Sequence, residues 1–324
     1  MKFEPSFGLK NRHIQTLYAS FFRKFKPLAF ESEIFELSDG DFLEAYWYKH
    51  KKHTPSTPII ILFHGLTGSY ASPYIQGAVR ALNKAGYSCV VMHFRGCSGK
   101  ENRKARSYHS GDTQDAQEFI HSLHTRYPNA ALGGVGYSLG ANMLLKYLGQ
   151  TQEKSLLKAA VAVSAPMLLD VCATQMQKGF SRFYQKILLK DLQKSLLKKY
   201  DKHPMQQLIG LKKEDVKKLK TFWLFDEAYT AKINNFASAQ EYYAKSSAMG
   251  YLKEIQTPTL IIHAKDDPFM TSEVIPNKSD ISKSTTLQIL ENGGHVGFIS
   301  GTLLHPKYWL DERVTTFFQE HIHI

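Results

Sequence analysis

Cysteine is scarce. The 324 residues hold three, Cys89, Cys97 and Cys172, an odd set with no C-x-x-C pair. That argues against a disulfide framework or a structural zinc site, and makes a reducing, cytoplasmic compartment the expectation. Long hydrophobic runs are missing too: nothing approaches the 18 or more apolar residues of a membrane-spanning helix, and the run over residues 58–63 has the length of a strand. The first residues show no charged region followed by an apolar stretch, so no secretory signal is expected. Repeats and low-complexity stretches are absent, which sets aside solenoids. Acidic residues are the minority sign, 29 against 41 Lys and Arg, for a net charge of +12. With 43% hydrophobic and 22% charged residues the composition is that of an ordinary globular chain.

What is present is an alternation. Residues 30–37 and 41–48 read as two antiparallel strands about the Asp39-Gly40 turn. Strands then follow at 59–63, 87–94, 131–137, 159–164, 259–263 and 287–290, with helices at 73–84, 112–125, 139–148 and near 306–320. This spacing predicts an α/β domain built on a mostly parallel sheet flanked by helices. Residues 167–250 break the rhythm with helical segments and no β run. They read as a helical cap or lid inserted within a single domain of residues 1–324, at the carboxyl ends of the strands where ligands bind.

The sharpest chemical signal is Gly136-Tyr137-Ser138-Leu139-Gly140. G-x-S-x-G between a strand and a helix is a nucleophile elbow, a turn so tight that small residues must stand two before and two after the serine. A serine nucleophile needs a base, and the base an orienting carboxylate, in the order Ser, acid, His for this fold class. Asp266-Asp267-Pro268 ends one predicted strand, and the proline favours Asp267 as the acid, with Asp266 left as a solvated or capping residue. His295 follows, in the glycine-rich Glu291-Asn292-Gly293-Gly294-His295-Val296-Gly297 loop. His64, His93, His109 and His263 fit the chain order less well and read as structural residues or as supports behind the site residues. Oxyanion donors are expected from the backbone N–H of Leu139 and from the His64-Gly65-Leu66-Thr67-Gly68-Ser69 loop, where Leu66 is the candidate.

With these motifs in order, the chain resembles the bacterial YheT-type hydrolases, relatives of the eukaryotic ABHD lipases and esterases in the α/β-hydrolase superfamily. Further motifs carry the resemblance: residues 8–16 with Asn11-Arg12-His13-Ile14-Gln15-Thr16, His93-Phe94-Arg95-Gly96-Cys97-Ser98-Gly99, Tyr108-His109-Ser110-Gly111 and Lys178-Gly179-Phe180-Ser181-Arg182. One departure is Ala141 where a second glycine is expected after the elbow. The resemblance implies an α/β-hydrolase fold and a serine-dependent carboxylic ester hydrolase with Ser138, Asp267 and His295 as triad. It implies no metal or organic cofactor, and a small acyl ester or a lipid as substrate. A thioesterase, a peptidase or an acyltransferase would use the same triad, and a non-catalytic lipid-binding protein could share the fold. Haloalkane-type chemistry is disfavoured, since the elbow carries Ser and not Asp. The Asn11–Thr16 motif has two open readings, lining the pocket or bracing the loop after Phe63. Arg95 has two as well, a core ion pair or a loop anchor.

The charge is uneven. Residues 170–220 carry thirteen Lys and Arg against five Asp and Glu, +8 of the net +12. Lys186, Lys190, Lys194 and Lys198 recur every four residues on one helical face, with Ile187, Leu188, Leu192 and Leu196 as the apolar side. Two readings follow: a peripheral contact with an anionic membrane, or the favoured one, a cap helix packed on the core with a solvated lysine face. No nucleic-acid partner is expected, because no binding motif accompanies the charge.

Overall fold

Residues Ile59–Phe63 are apolar at every position and fully buried, a pattern that is stable only where both faces of a sheet are covered. Successive side chains point to opposite faces. Ile59, Ile61 and Phe63 therefore enter one core while Ile60 and Leu62 enter the other. The computed structural model, which describes residues 1–324, places this strand near the middle of an eight-stranded sheet.

The strands are β1 (Glu31–Glu36), β2 (Phe42–Tyr48), β3 (Ile59–Phe63), β4 (Ser88–Met92), β5 (Leu132–Tyr137), β6 (Leu157–Val163), β7 (Thr259–Ala264) and β8 (Thr285–Leu290). Their order is β1-β2-β4-β3-β5-β6-β7-β8. β1 and β2 form an antiparallel hairpin, β2 is antiparallel to β4, and every later pairing is parallel. Helices α1 (Arg12–Phe22), α2 (Pro73–Lys84), α3 (Thr113–Arg126) and α4 (Leu139–Thr151) belong to the sheet layers. Between β6 and β7 lie only helices: α5 (Leu169–Gln175), α6 (Ser181–Tyr200), α7 (Met205–Ile209), α8 (Phe222–Phe225), α9 (Ala231–Ile233) and α10 (Ala239–Ser246). They hold a small core of their own, in which Leu189 and Leu196 meet Met205, Ile209, Phe225 and Tyr229. The last helix, α11 (Trp309–His321), starts three residues later than expected, because Pro306–Tyr308 pairs with Ile299–Gly301 as a short hairpin.

On α6 the lysine face is solvated: Lys186, Lys190, Lys194 and Lys198 are all exposed. Two side chains depart from the simple amphipathic pattern. Ile187, expected on the apolar side, is 46% exposed. Lys199 is buried, its Nζ donating to Asn102 Oδ1 at 2.5 Å and to the Lys104 carbonyl at 2.7 Å, and burial lowers its pKa to about 8. That contact fastens the inserted helices to the loop after β4. No helix is long and apolar enough to cross a membrane.

Arg95 settles as a core ion pair. Its Nε and Nη2 donate to the two oxygens of Asp115 at 2.7 and 2.6 Å, and Nη1 donates to Asp39 and Asp41, each at 2.9 Å. One buried guanidinium thus joins α3, the β1–β2 turn and the loop after β4. Removing one partner of a buried pair leaves the others uncompensated, which costs about 3–5 kcal/mol. Arg95→Met is therefore expected to lower unfolding free energy by about that amount in urea titration. Arg103→Met, which removes an exposed pair with Glu36 and a contact with the Gly40 carbonyl, is expected to cost no more than about 1 kcal/mol.

Candidate active site

At the carboxyl end of β5 the chain turns directly into α4, and Ser138 occupies the turn with φ 53° and ψ −118°. Left-handed backbone is unfavourable for a residue with a Cβ, so the turn needs room around it. Gly136 and Gly140 supply that room: a Cβ on Gly136 would lie 2.5 Å from the Gly140 carbonyl oxygen, and one on Gly140 would lie 2.5 Å from the Phe63 carbonyl oxygen. Ala141 is fully buried beside Gly136, small enough for the helix to sit against the strand.

Two loops bring the other expected residues to Ser138. Asp267 follows β7 and is 2% exposed; His295 lies in the loop after β8. His295 Nε2 stands 2.9 Å from Ser138 Oγ, and His295 Nδ1 stands 2.8 Å from Asp267 Oδ2. An Nδ1–H donated to the carboxylate leaves Nε2 free to accept the serine proton. Asp266 turns away from the imidazole. Its Oδ1 accepts the Gly294 N–H at 2.9 Å and its Oδ2 the Asn292 amide at 3.3 Å, so it ties down the loop that carries His295. Burial raises the Asp266 pKa.

The two backbone donors expected near the serine are both unpaired. Around Leu66, Gly65 N–H donates to the Tyr74 hydroxyl at 2.9 Å, Thr67 N–H to the Tyr108 hydroxyl at 2.9 Å, and Gly68 N–H to the Gly65 carbonyl at 3.0 Å. Leu66 N–H is the one left without a protein acceptor, and Leu139 N–H, at the first turn of α4, has none either. Both residues line the same cavity as Ser138 and His295.

His64 and His93 hold this loop from below. His64 donates Nδ1–H to the Gly65 carbonyl at 2.7 Å and accepts the Phe94 N–H on Nε2 at 3.2 Å. His93 donates Nδ1–H to the Glu44 carbonyl at 2.9 Å and accepts the Tyr70 N–H on Nε2 at 3.0 Å. Each ring is thereby fixed as one neutral tautomer, since a proton on Nε2 would face a backbone N–H. Burial pushes the two pKa values down to about 3 and about 4. His109 lines the cavity, accepting the Gly111 N–H at 3.2 Å, and His263 is buried at the end of β7.

Several residues without an assigned role in the sequence bear on the site. The 8–16 motif braces the loop of His295, not the loop after Phe63. Asn11 caps α1 by accepting the His13 and Ile14 N–H groups. Gln15, fully buried, then donates to the carbonyls of Leu9 and Ile299 at 2.6 and 2.8 Å and accepts the Ile299 N–H at 2.7 Å. Thr16 Oγ1 accepts the N–H of His295 itself at 2.9 Å. A Cβ on Gly297 would lie 2.2 Å from the Gln15 carbonyl oxygen, so this loop is glycine-rich because α1 packs straight against it. Ser164, also left-handed at φ 51°, accepts the Val296 N–H at 3.2 Å. Phe269 stacks on the His295 ring with centroids 4.0 Å apart.

The cavity over Ser138 has a volume of about 330 Å³, and eighteen of its thirty-two lining residues are hydrophobic, which suits an apolar group. The inserted helices form its roof through Leu188, Leu192, Phe222, Phe225 and Tyr229. No three His, Cys, Asp or Glu side chains converge as metal ligands.

Comparison with known proteins agrees with this architecture. A family model described as the alpha/beta hydrolase fold matches residues 58–302. The chain is 44% identical over 313 residues to YheT of Escherichia coli, named as a candidate esterase, covering 97% of this chain and 92% of that protein. It is 28% identical to human phospholipase ABHD3, over 95% of this chain and 77% of that one. The Pyrococcus furiosus esterase Pf2001 superposes with a TM-score of 0.59 at 17% identity, covering 91% and 92% of the two chains, a likeness of fold.

The neutral, depressed histidines have a consequence for acid stability. Below pH 6.5 the unfolded chain takes up protons at these two rings and the folded chain does not, so stability is lost as pH falls toward 4. At pH 5 each contributes a loss of about 2 kcal/mol relative to pH 7, to which other groups add their own terms. Histidine Cε1–H resonances of His64 and His93 are expected to stay unshifted from pH 7.5 to 5, assigned through single His→Gln variants. A midpoint near 6.5 for either ring contradicts the assignment.

Proposed function

The chain belongs to the α/β-hydrolase family, and on that premise we propose that it is a serine-dependent carboxylic ester hydrolase working through an acyl-enzyme. Membership, together with the esterases among its relatives and fold neighbours, supports hydrolase activity. The finer reading rests on one observation above all: the unbroken chain from Asp267 through His295 to Ser138, with both links under 3 Å.

In this reading His295 Nε2 takes the Ser138 proton as Oγ attacks the ester carbonyl carbon. Asp267 holds the imidazole in the Nδ1–H tautomer and stabilises the imidazolium that forms. The carbonyl oxygen, now an anion, is received by the N–H groups of Leu66 and Leu139; losing one such donor costs about 3 kcal/mol of transition-state stabilisation. The tetrahedral adduct collapses, the alkoxy oxygen leaves with the proton from His295, and the acyl group stays on Ser138. Water, deprotonated by the same imidazole, then attacks the acyl carbon. A second tetrahedral adduct breaks to release the acid and return the proton to Ser138.

The substrate class follows from the cavity wall. Its apolar lining favours an acyl chain or other hydrocarbon group, and the name of the human relative extends the class to lipid esters. The helices of residues 167–250 serve as a cap over that chain. They are fastened by Lys199 to the loop after β4 and by the Ser181 hydroxyl to the Pro268 carbonyl, one residue from the acid.

Turnover of p-nitrophenyl esters of increasing acyl length tests the reading. Ser138→Ala is expected to abolish activity, Asp267→Asn to lower kcat by about four decades through loss of the correct tautomer, and Asp266→Asn to lower it less than tenfold. Wild-type protein inert on every ester sinks the proposal, and equal losses at the two aspartates reject Asp267 as the acid.

A further inference from the structure

Fourteen large apolar side chains stand exposed, and eight of them fall on helix α1 and the two segments that touch it. Scattered singly they would need no explanation; clustered they mark a contact surface. Helix α1 is the centre. Its Gln15 and Thr16 turn inward to the His295 loop, while Ile14, Tyr18, Phe21 and Phe22, spaced as one helical face, turn outward. Phe21 is 64% exposed and Phe22 68%.

The patch continues on both sides of α1. Tyr18 packs its ring 4.9 Å from that of Phe22 and donates its hydroxyl to the Leu303 carbonyl, at the tip of the hairpin formed by Ile299–Gly301 and Pro306–Tyr308. Leu304, next along that tip, is 87% exposed. At the other end the His13 ring lies 4.5 Å from that of Phe180, which leads to exposed Phe183 and Ile187 on α6.

Charge selects the occupant. Residues 5–30, 171–190 and 292–310 contain no Asp or Glu. Lys10, Arg12, Lys24, Lys26, Arg182 and Lys186 stand exposed around the apolar surface. A second copy of this chain would bring like charges together across the contact. A bilayer of anionic lipid offers hydrocarbon to the aromatic side chains and negative head groups to the basic rim at once. We propose that this face docks on an anionic lipid surface, with α1 lying in the interface and Phe21, Phe22 and Leu304 entering it. The contact differs from one made by the lysine face of α6 alone, because it needs the apolar side chains of three segments. It also lies beside the site, since α1 is the helix that braces the His295 loop. The inference does not depend on the ester-hydrolase reading.

Co-sedimentation with vesicles of equimolar phosphatidylglycerol and phosphatidylcholine tests it. Wild-type protein is expected to bind these vesicles and to bind pure phosphatidylcholine at least tenfold more weakly. The triple variant F21S/F22S/L304S is expected to lose at least tenfold in partition coefficient on the mixed vesicles. K212E/K217E, which reverses two charges of the basic insertion but leaves the patch intact, is expected to lose less than threefold. The triple variant keeps its hydrolysis of soluble p-nitrophenyl butyrate, so a failure of docking and a failure of the hydrolase reading are read separately. Absence of vesicle binding by wild type overturns the proposal, as does unchanged binding by the triple variant. A wild-type dimer in vesicle-free buffer that the triple variant converts to monomer also overturns it, in favour of self-association.

Discussion

A serine held at φ 53° between a strand and a helix is the constraint on which the rest of this structure depends. Backbone of that kind costs about 1–3 kcal/mol and persists only where its surroundings over-determine it. Here they do. Gly140 packs against the carbonyl oxygens of Phe63 and His64, and a Cβ on Gly65 would lie 3.3 Å from Ser138 Cβ. One set of close contacts therefore fixes both the direction of Ser138 Oγ and its distance from the Leu66 loop. The candidate nucleophile and the candidate oxyanion donors are positioned by the same glycines, in the middle of the sheet where β3 and β5 are buried on both faces.

The candidate base is held differently, from far away in the chain. His295 sits in a loop whose N–H groups are taken by Asp266, Thr16 and Ser164, and whose glycines accept the close approach of α1. A helix near the start of the sequence thus sets the position of a histidine near its end. The same imidazole carries the Phe269 ring on its face, Phe269 meets Tyr184 of α6 at 5.0 Å, and the Tyr184 hydroxyl meets His13 of α1 at 3.1 Å. Movement of the inserted helices cannot be separated from the environment of His295. Below the site, His64 and His93 are kept neutral by backbone donors, so the ground beneath the Leu66 loop adds no positive charge of its own.

Much of this was legible in the sequence because it follows from local rules. Apolar runs of strand length, a hairpin turn at Asp39-Gly40 and the G-x-S-x-G spacing each report on a few neighbouring residues, and the sheet, the elbow and the chain order of Asp267 and His295 come from them. What was not legible depends on residues meeting across the fold. The spacing of Ile14, Tyr18, Phe21 and Phe22 behind the Asn11 cap is a helix signal, but the brace that this helix puts on the His295 loop depends on contacts some 280 residues apart in the chain. The sequence left Arg95 between two roles, and only the convergence of Asp39, Asp41 and Asp115 on one guanidinium decides between them. Lys199 stands three residues after Leu196 and seven after Leu192, on the apolar face, and what satisfies a charge there is a set of acceptors on a loop nearly a hundred residues away.

Reaction with an alkyl fluorophosphonate, followed by intact mass and peptide mapping across pH, tests the central claim most directly, that His295 and Asp267 activate Ser138. The account expects one adduct, on the peptide containing Ser138, forming at a rate that rises with deprotonation of a single histidine and is lost in His295→Ala. An adduct on another residue, a stable protein with no adduct at any pH, or labelling of Ser138 unaffected by loss of His295 would contradict it.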